Sequence, residues 1–355
     1  EDEENARLAE KAWEENGLDV PESFADPLIA LLEHKIAYVR ESCARALAAA
    51  TEQHPEQVSN VISKLCKLYQ ERNKVLAPEY DRFGMVIEST KNRQDPWQTR
   101  AAIAVALRHL APLLQGSDVQ PLFEFMIDGQ ALGDRSEDVR PTMLEAATAV
   151  IDLHGKEHLS KLIAMFEAFF SHSTGSNADD GITEAVVILL GREARHLDPK
   201  DPRVSKVVDR LIDALKTPSE LVQSAVADCL PPLVLAISKD VPRLFQSLFR
   251  ELFDGPKYAG RRGAAYGLAG LVMGRGIGSI KEFDVMDKLA DAFEDAKNPT
   301  RRQGVMFAYE TLTLTLKRLF EPYIIGILPH MLAGFGDVSS DVREATQDAA
   351  KAIMQ

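Results

Sequence analysis

The chain has 355 residues, of which 45% are hydrophobic and 27% charged, and its formal charge at pH 7 is −13. That length suits two ordinary domains or one elongated repeat array. The acidic balance argues against generic coating of nucleic acid, although a local basic face is compatible with it. No apolar run approaches the ~20 residues that span a bilayer, so no membrane partner is expected. There is no signal peptide, and a start at Glu1 without Met reads as an excised fragment. Cys43, Cys66 and Cys229 are odd in number and far apart, each at an apolar position of a helical pattern. They read as reduced core thiols, hence an intracellular protein.

In chain order, "ENARLAEKAWEENGLD" predicts an extra helix within residues 1–20, stopped by Asn16-Gly17. From residue 26 onward, apolar segments of helical period alternate with turns. "PLIALLEH", "VQPLFEFMIDG", "LSKLIAMFEAFF", "VSKVVDRLIDAL", "VPRLFQSLFRELF", "VMDKLADAFED" and "PYIIGILPHMLAGF" each read as the first helix of a pair. Several open on an acidic residue and Pro: Asp26-Pro27, Asp201-Pro202 and Glu321-Pro322. A carboxylate there caps free N–H groups, and Pro at the first position loses no hydrogen bond. Residues 70–96 hold a long insertion between the second pair's helices, of a length that is usually functional or disordered. The polar stretch "SHSTGSNADDG" at 171–181 is a shorter linker.

One phrase recurs. "LGDRSEDVRPTMLEAATAVI" at 132–151 returns at the end as "FGDVSSDVREATQDAAKAIMQ". Aligned on its Arg, the chain gives Arg40, Arg100, Arg140, Thr183, Gln223, Arg262, Arg302 and Arg343. The spacing is roughly forty residues, apart from the insertion, which is the length of a two-helix repeat. Pro within the first helix, Asp in the turn and Val-Arg opening the second helix form the signature of HEAT repeats. The fold class expected is therefore all-α: a HEAT-repeat α-solenoid of about eight helix pairs, a single array over 1–355, with stacked pairs over 26–355. Asp134, Arg140, Arg262, Arg302, Asp337 and Arg343 are the expected turn ladder, interrupted at Thr183 and Gln223. Small residues six positions after each anchor, such as Ala349, let neighbouring helices approach.

Little in the chain points to chemistry. His154 and His158 are four apart but interrupted by Gly155, at the expected joint between two units, with no third ligand. "GLAGLVMGRGIGS" at 267–279 lacks the Gly-Lys-Ser/Thr of a phosphate loop and reads as a helix end, with Gly267 and Gly270 permitting close packing. No nucleophile or acid–base pair stands out. We therefore expect no enzyme, no cofactor and no metal. Basic residues gather late in the chain, and Lys257, Arg261, Arg275 and Arg301 are expected to line a positive strip along adjacent turns. A strip of that kind suits phosphate backbones or acidic protein segments.

"AEKAWEENGLDVPESF", "YAGRRGAAYGLAGLVMGRGI" and "FEPYIIGILPHMLAGFGDVSSDVREATQDAAKAIM" resemble the middle of the general control non-derepressible 1 family, giant HEAT-repeat translational activators. The last segment also resembles the HEAT region of fungal elongation factor 3. The resemblance implies a non-enzymatic, cytoplasmic scaffold that binds ribosomes, stalled or collided ones included. It further implies an ABC-ATPase partner, and promotion of the initiation factor 2 kinase through regions outside this fragment. It carries no catalytic residue over to this chain. On this reading the strip of Lys257, Arg261, Arg275 and Arg301 meets the ribosome or an acidic partner. The alternative is another HEAT adaptor, such as a transport receptor or phosphatase scaffold. Only Trp13 and Trp97 are present, and they form no ladder of the kind expected of a transport receptor.

Overall fold

The computed structural model describes residues 3–17, 19–74, 85, 94–172 and 180–354. Among these, every regular element is a helix. The chain divides into two compact units, Glu1–Ile182 and Thr183–Gln355.

The first unit opens with α1 (Glu3–Glu15). The Asn16 amide donates to the Ala12 carbonyl at 2.6 Å, and Gly17 follows at φ +58°, a conformation that glycine adopts without a Cβ penalty. Next come α2 (Ala25–Leu31), α3 (Ala37–Gln53) and α4 (Val58–Asn73). On α4 the buried residues Val58, Val61, Ile62, Leu65 and Tyr69 fall at helical spacing, so one stripe faces inward. The segments 75–84 and 86–93, which hold most of the expected insertion, lie outside the described residues. So does 173–179 of the polar linker.

The chain resumes in α5 (Trp97–Leu110), which packs on both α3 and α4. α6 (Gly116–Ile127) starts with a capping box in which Asp118 accepts from the Gln115 N–H at 2.9 Å. α7 runs unbroken from Val139 to His172. The expected joint at His154–His158 is absent. Gly155 is helical and buried, and a single glycine costs a helix only about 1 kcal/mol. His154 Nε2 lies 2.8 Å from the Ala111 carbonyl oxygen, and His158 packs beside Gly116. The Phe123 ring of α6 meets the Phe166 ring of α7 edge-on.

Helix α8 (Asp180–Ala194) carries the chain into the second unit. There follow α9 (Arg203–Ala214), α10 (Glu220–Cys229), the short α11 (Pro231–Val234), α12 (Val241–Asp254) and α13 (Tyr258–Arg275). The unit ends with a short α14 (Ser279–Glu282), then α15 (Val285–Phe293), α16 (Pro299–Leu316), α17 (Glu321–Phe335) and α18 (Ser340–Met354). Helices α13 and α16 are the centre of this unit. Residues 263–272 and 302–312 are buried without interruption. α13 packs against α10, α11, α12 and α16, and α16 packs against α18.

The glycine-rich run makes this possible. A Cβ on Gly263 would strike the Leu215 carbonyl, and one on Gly270 would strike the Ala227 backbone. The run ends in Gly276 at φ +94°, where α13 stops. Cys43 and Cys229 are buried, Cys66 is half-buried, and none of the three is in a disulfide. Burial pushes the Cys66 thiol up to about 12. No helix among the described residues is long and apolar enough to cross a membrane.

Candidate interaction surface at the helix-pair turns

One device recurs where a first helix turns into a second. A side chain early in the second helix folds back and donates to a carbonyl oxygen of its own turn. In the first unit, Arg40 reaches the His34 carbonyl at 2.7 Å, and Arg140 reaches that of Asp134 at 3.0 Å. In the second, Arg302 reaches Asp295 and Arg343 reaches Asp337, each at 2.7 Å. These carbonyls belong to turn residues past the end of the preceding helix, and the guanidinium supplies each with a donor across the turn.

Gln223 does the same without charge. Its Nε2 donates to the Thr217 carbonyl at 2.8 Å and crosses to Ala259 of the next turn at 2.9 Å. The interruption expected at Gln223 is therefore absent.

At two turns the Arg also grips an Asp of the following turn. Arg100, with no side-chain exposure, bonds both oxygens of Asp134 at 2.6 and 2.8 Å. Arg302 bonds both oxygens of Asp337 at 2.7 and 3.0 Å. Burial alone would raise the Asp134 carboxyl; hydrogen bonds from Arg100 and then Tyr69 outweigh it and hold the group low. The Asp337 carboxyl is held low chiefly by its hydrogen bond from Arg302. Fork-to-carboxylate pairs of this geometry are the strong kind.

The sixth turn corrects the expected register. Arg261, not Arg262, is the turn residue. It is buried, donating to the Gly255 carbonyl at 3.0 Å and to Gln303 Oε1 at 2.7 Å. A buried side chain cannot belong to an exposed strip. Arg262 points instead to the half-exposed side. It pairs with Glu220 at 2.7 Å and Glu310 at 3.4 Å, and accompanies the Tyr266 hydroxyl, itself 2.9 Å from Glu220. Burial pushes the Glu310 carboxyl up, with Arg262 opposing.

The rest of the expected strip is neutralised in place. Arg301 lies 2.7 Å from Asp254 and 3.5 Å from Asp295, and Arg275 lies 3.0 Å from Glu282. Lys257 is exposed and has no ion pair among the described residues. These residues do not converge into a pocket, and no cluster of metal-ligating side chains occurs among the described residues. What these turns of the second unit offer is mostly paired charge.

Two groups escaped the reading from sequence. Asp95, in the lead-in to α5, holds Arg100 at 2.6 Å and Arg135 at 2.5 Å. Its signal was submerged in the mixed charge of the insertion. Glu193 is fully buried, and neither carboxylate oxygen has a hydrogen-bond partner among the described residues. Burial pushes its carboxyl up to about 7. Its only signal is a carboxylate next to a long apolar run.

The comparisons with known proteins agree with this architecture. Residues 1–195, more than half of the chain, match the family model "Stalled ribosome sensor GCN1, HEAT repeats". Residues 261–355 match "EF3 N-terminal HEAT repeat". The chain is 44% identical over 99% of its length to the stalled ribosome sensor GCN1 of Homo sapiens. It is 37% identical, again over 99%, to the eIF-2-alpha kinase activator GCN1 of Saccharomyces cerevisiae. It spans 13% of the length of each of those relatives. A solved Kap121p mutant matches over 95% of this chain and 38% of its own length at 14% identity, with a TM-score of 0.37. By its repeats and by the family model that matches more than half of its residues, this chain belongs to the GCN1 HEAT-repeat family.

Proposed function

We propose that this chain is a non-catalytic scaffold segment of a stalled-ribosome sensor, acting in the cytoplasm within a protein that promotes activation of the kinase of initiation factor 2. The observation that supports this reading most directly is similarity along 99% of this chain to a part of relatives named for those two roles. On this reading the segment works by surface recognition, without turnover. Ribosomes are its partner, an ABC-ATPase is a second partner, and the kinase is engaged by regions outside these residues.

The paired turn edge shapes how contact is made. Lys257 offers a free cation, while Arg275 and Arg301 meet a phosphate by exchanging Glu282 and Asp254 for it. Exchange of one carboxylate partner for another anion gains less than pairing a free guanidinium. Binding through these residues is therefore weak and salt-sensitive.

The test is co-sedimentation of the chain with ribosomes at low and raised salt. Binding at low salt that declines as salt rises supports the reading. No binding at any salt would remove the segment itself from the list of ribosome contacts. Lys257→Glu with Arg301→Glu, checked by circular dichroism, reports on the edge. An unchanged pellet fraction would place the contact elsewhere on the chain.

A further inference from the structure

In the second unit, α10 packs on α13, α13 on α16 and α16 on α18, so four second helices lie side by side. One polar network crosses them, with Arg262 of α13 as its hub. Arg262 Nη2 donates to Glu220 Oε1 of α10 at 2.7 Å and to Glu310 Oε1 of α16 at 3.4 Å. Its Nη1 donates to the Tyr258 hydroxyl at 3.1 Å. The guanidinium carbon lies 5.9 Å from the centre of the Phe307 ring, which the Tyr258 ring meets edge-on. On α18, Asp348 and Lys351 pair at 2.8 Å, and both act electrostatically on Glu310.

The network is short of positive charge and of partners. The carboxylates of Glu220, Glu310 and Asp348 face only the cations of Arg262 and Lys351. The Glu310 side chain is 10% exposed, yet its ion pair with Arg262 spans 3.4 Å. Arg262 Nε is buried with no acceptor among the described residues. Burial pushes the Glu310 carboxyl up, Arg262 and Lys351 oppose, and Asp348 and Glu220 add to the rise. A buried carboxylate so thinly compensated gains from any further cation brought beside it. Around this half-buried floor, Glu220, Tyr258 and Lys351 are exposed.

We propose that this face of α10, α13, α16 and α18 docks a basic protein segment, one lysine or arginine of which enters between Glu220 and Glu310 with its stem along the Tyr258 ring. A long cationic side chain buries its stem on an aromatic ring while its head meets carboxylates. The formal charge of −13 draws a basic partner in from a distance. Phosphates are repelled from the same face, where carboxylates outnumber cations.

Anisotropy of a fluorescent hexalysine peptide, titrated with the full chain at low salt, measures the docking. No ribosome is present, so its failure leaves the co-sedimentation reading standing. Glu220→Gln with Asp348→Asn removes two charges and keeps an acceptor oxygen at each position. It is expected to weaken binding roughly tenfold with an unchanged helical spectrum. Asp287→Asn with Asp291→Asn removes the same charge from exposed positions of the first helix α15 and is expected to leave affinity within about twofold. Wild-type affinity in the first variant, or equal losses in the two, would overturn the proposal. Should the first variant lose its helical spectrum, Asp348→Asn alone is expected to weaken binding about threefold, and wild-type affinity there would overturn it equally. Hexauridylate is expected to bind the first variant no more weakly than wild type. A loss matching that of hexalysine would make the face a nucleic-acid contact and overturn the proposal.

Discussion

Arg302 holds Asp337 through two parallel bonds, Nε to Oδ2 at 2.7 Å and Nη2 to Oδ1 at 3.0 Å, while its Nη1 closes its own turn on Asp295. One side chain thereby fixes two successive turns of the second unit. Both partners are nearly inaccessible, with side-chain exposures of 7% and 8%.

Asp337→Ala removes one partner of this buried pair and leaves the guanidinium behind. A loss of roughly 3 kcal/mol is expected, in the range for a broken buried ion pair. Urea denaturation measures it. A change below about 0.5 kcal/mol would show that the bidentate bond does not hold the turns.

Acid tests the same clusters together. The Asp95, Asp134 and Asp337 carboxyls lie below their ordinary values, Asp95 at about 2. A folded-state value below the unfolded one gives stability that is present above the unfolded pKa near 4 and lost as pH falls toward about 2. Thermal melts should hold down to about pH 4 and drop steeply below it. A midpoint that stays flat across that window would contradict the ionised cluster.

Glu193 runs the opposite way. Its folded carboxyl is raised to about 7 by burial, with Arg195 opposing. Protons are bound more tightly in the folded chain, so stability present below about pH 4.5 declines as pH rises toward 7. Glu193→Gln should stabilise the chain at pH 8 by roughly 2–3 kcal/mol and flatten the profile between pH 5 and 8. A destabilised variant at pH 8 would mean that the carboxylate has a partner in solution.

Gly263→Ala probes the close helix approach in the second unit. In an open helix the change would stabilise by up to about 1 kcal/mol. Here the new methyl meets the Leu215 carbonyl, a backbone atom that moves only with its helix. A net loss of roughly 1–3 kcal/mol is expected by calorimetry or denaturant melts. A gain in stability would place α13 farther from Leu215.

The helix pairs were legible because a period-3.6 apolar pattern and a recurring Asp-Val-Arg turn are local signals. The register at the sixth turn was not. Two adjacent arginines, Arg261 and Arg262, offered the same letter, and one residue is about 100° on a helix, enough to turn a side chain from the helix-pair turn toward Glu220 and Glu310. The accepting turn residue is Gly255 here, Asp134 or Asp337 in two other turns, and His34 or Thr217 in two more, so its identity did not settle the choice. The positive strip failed for a different reason. Sequence displays charges but not partners, and Asp254 lies 47 positions before the Arg301 it neutralises. Asp95 was hidden likewise, because Arg135 is 40 positions away. The joint expected at Gly155 rested on composition alone. A glycine without a following proline does not stop a helix that both its ends stabilise.

That unbroken helix makes α7 behave like a gear shaft. Its 34 residues extend about 51 Å at 1.5 Å per residue. The buried teeth of its first half are Met143, Ala146, Ala147 and Val150, and those of its second are Leu162, Ile163 and Phe166. At about 100° per residue, the second set is rotated by roughly 150° from the first. With no turn between them to absorb slack, the two sets are locked in phase. Inserting one residue near Gly155 would advance every later tooth by about 100° and disengage Phe166 from Phe123, whereas a length change in a turn would leave both meshed.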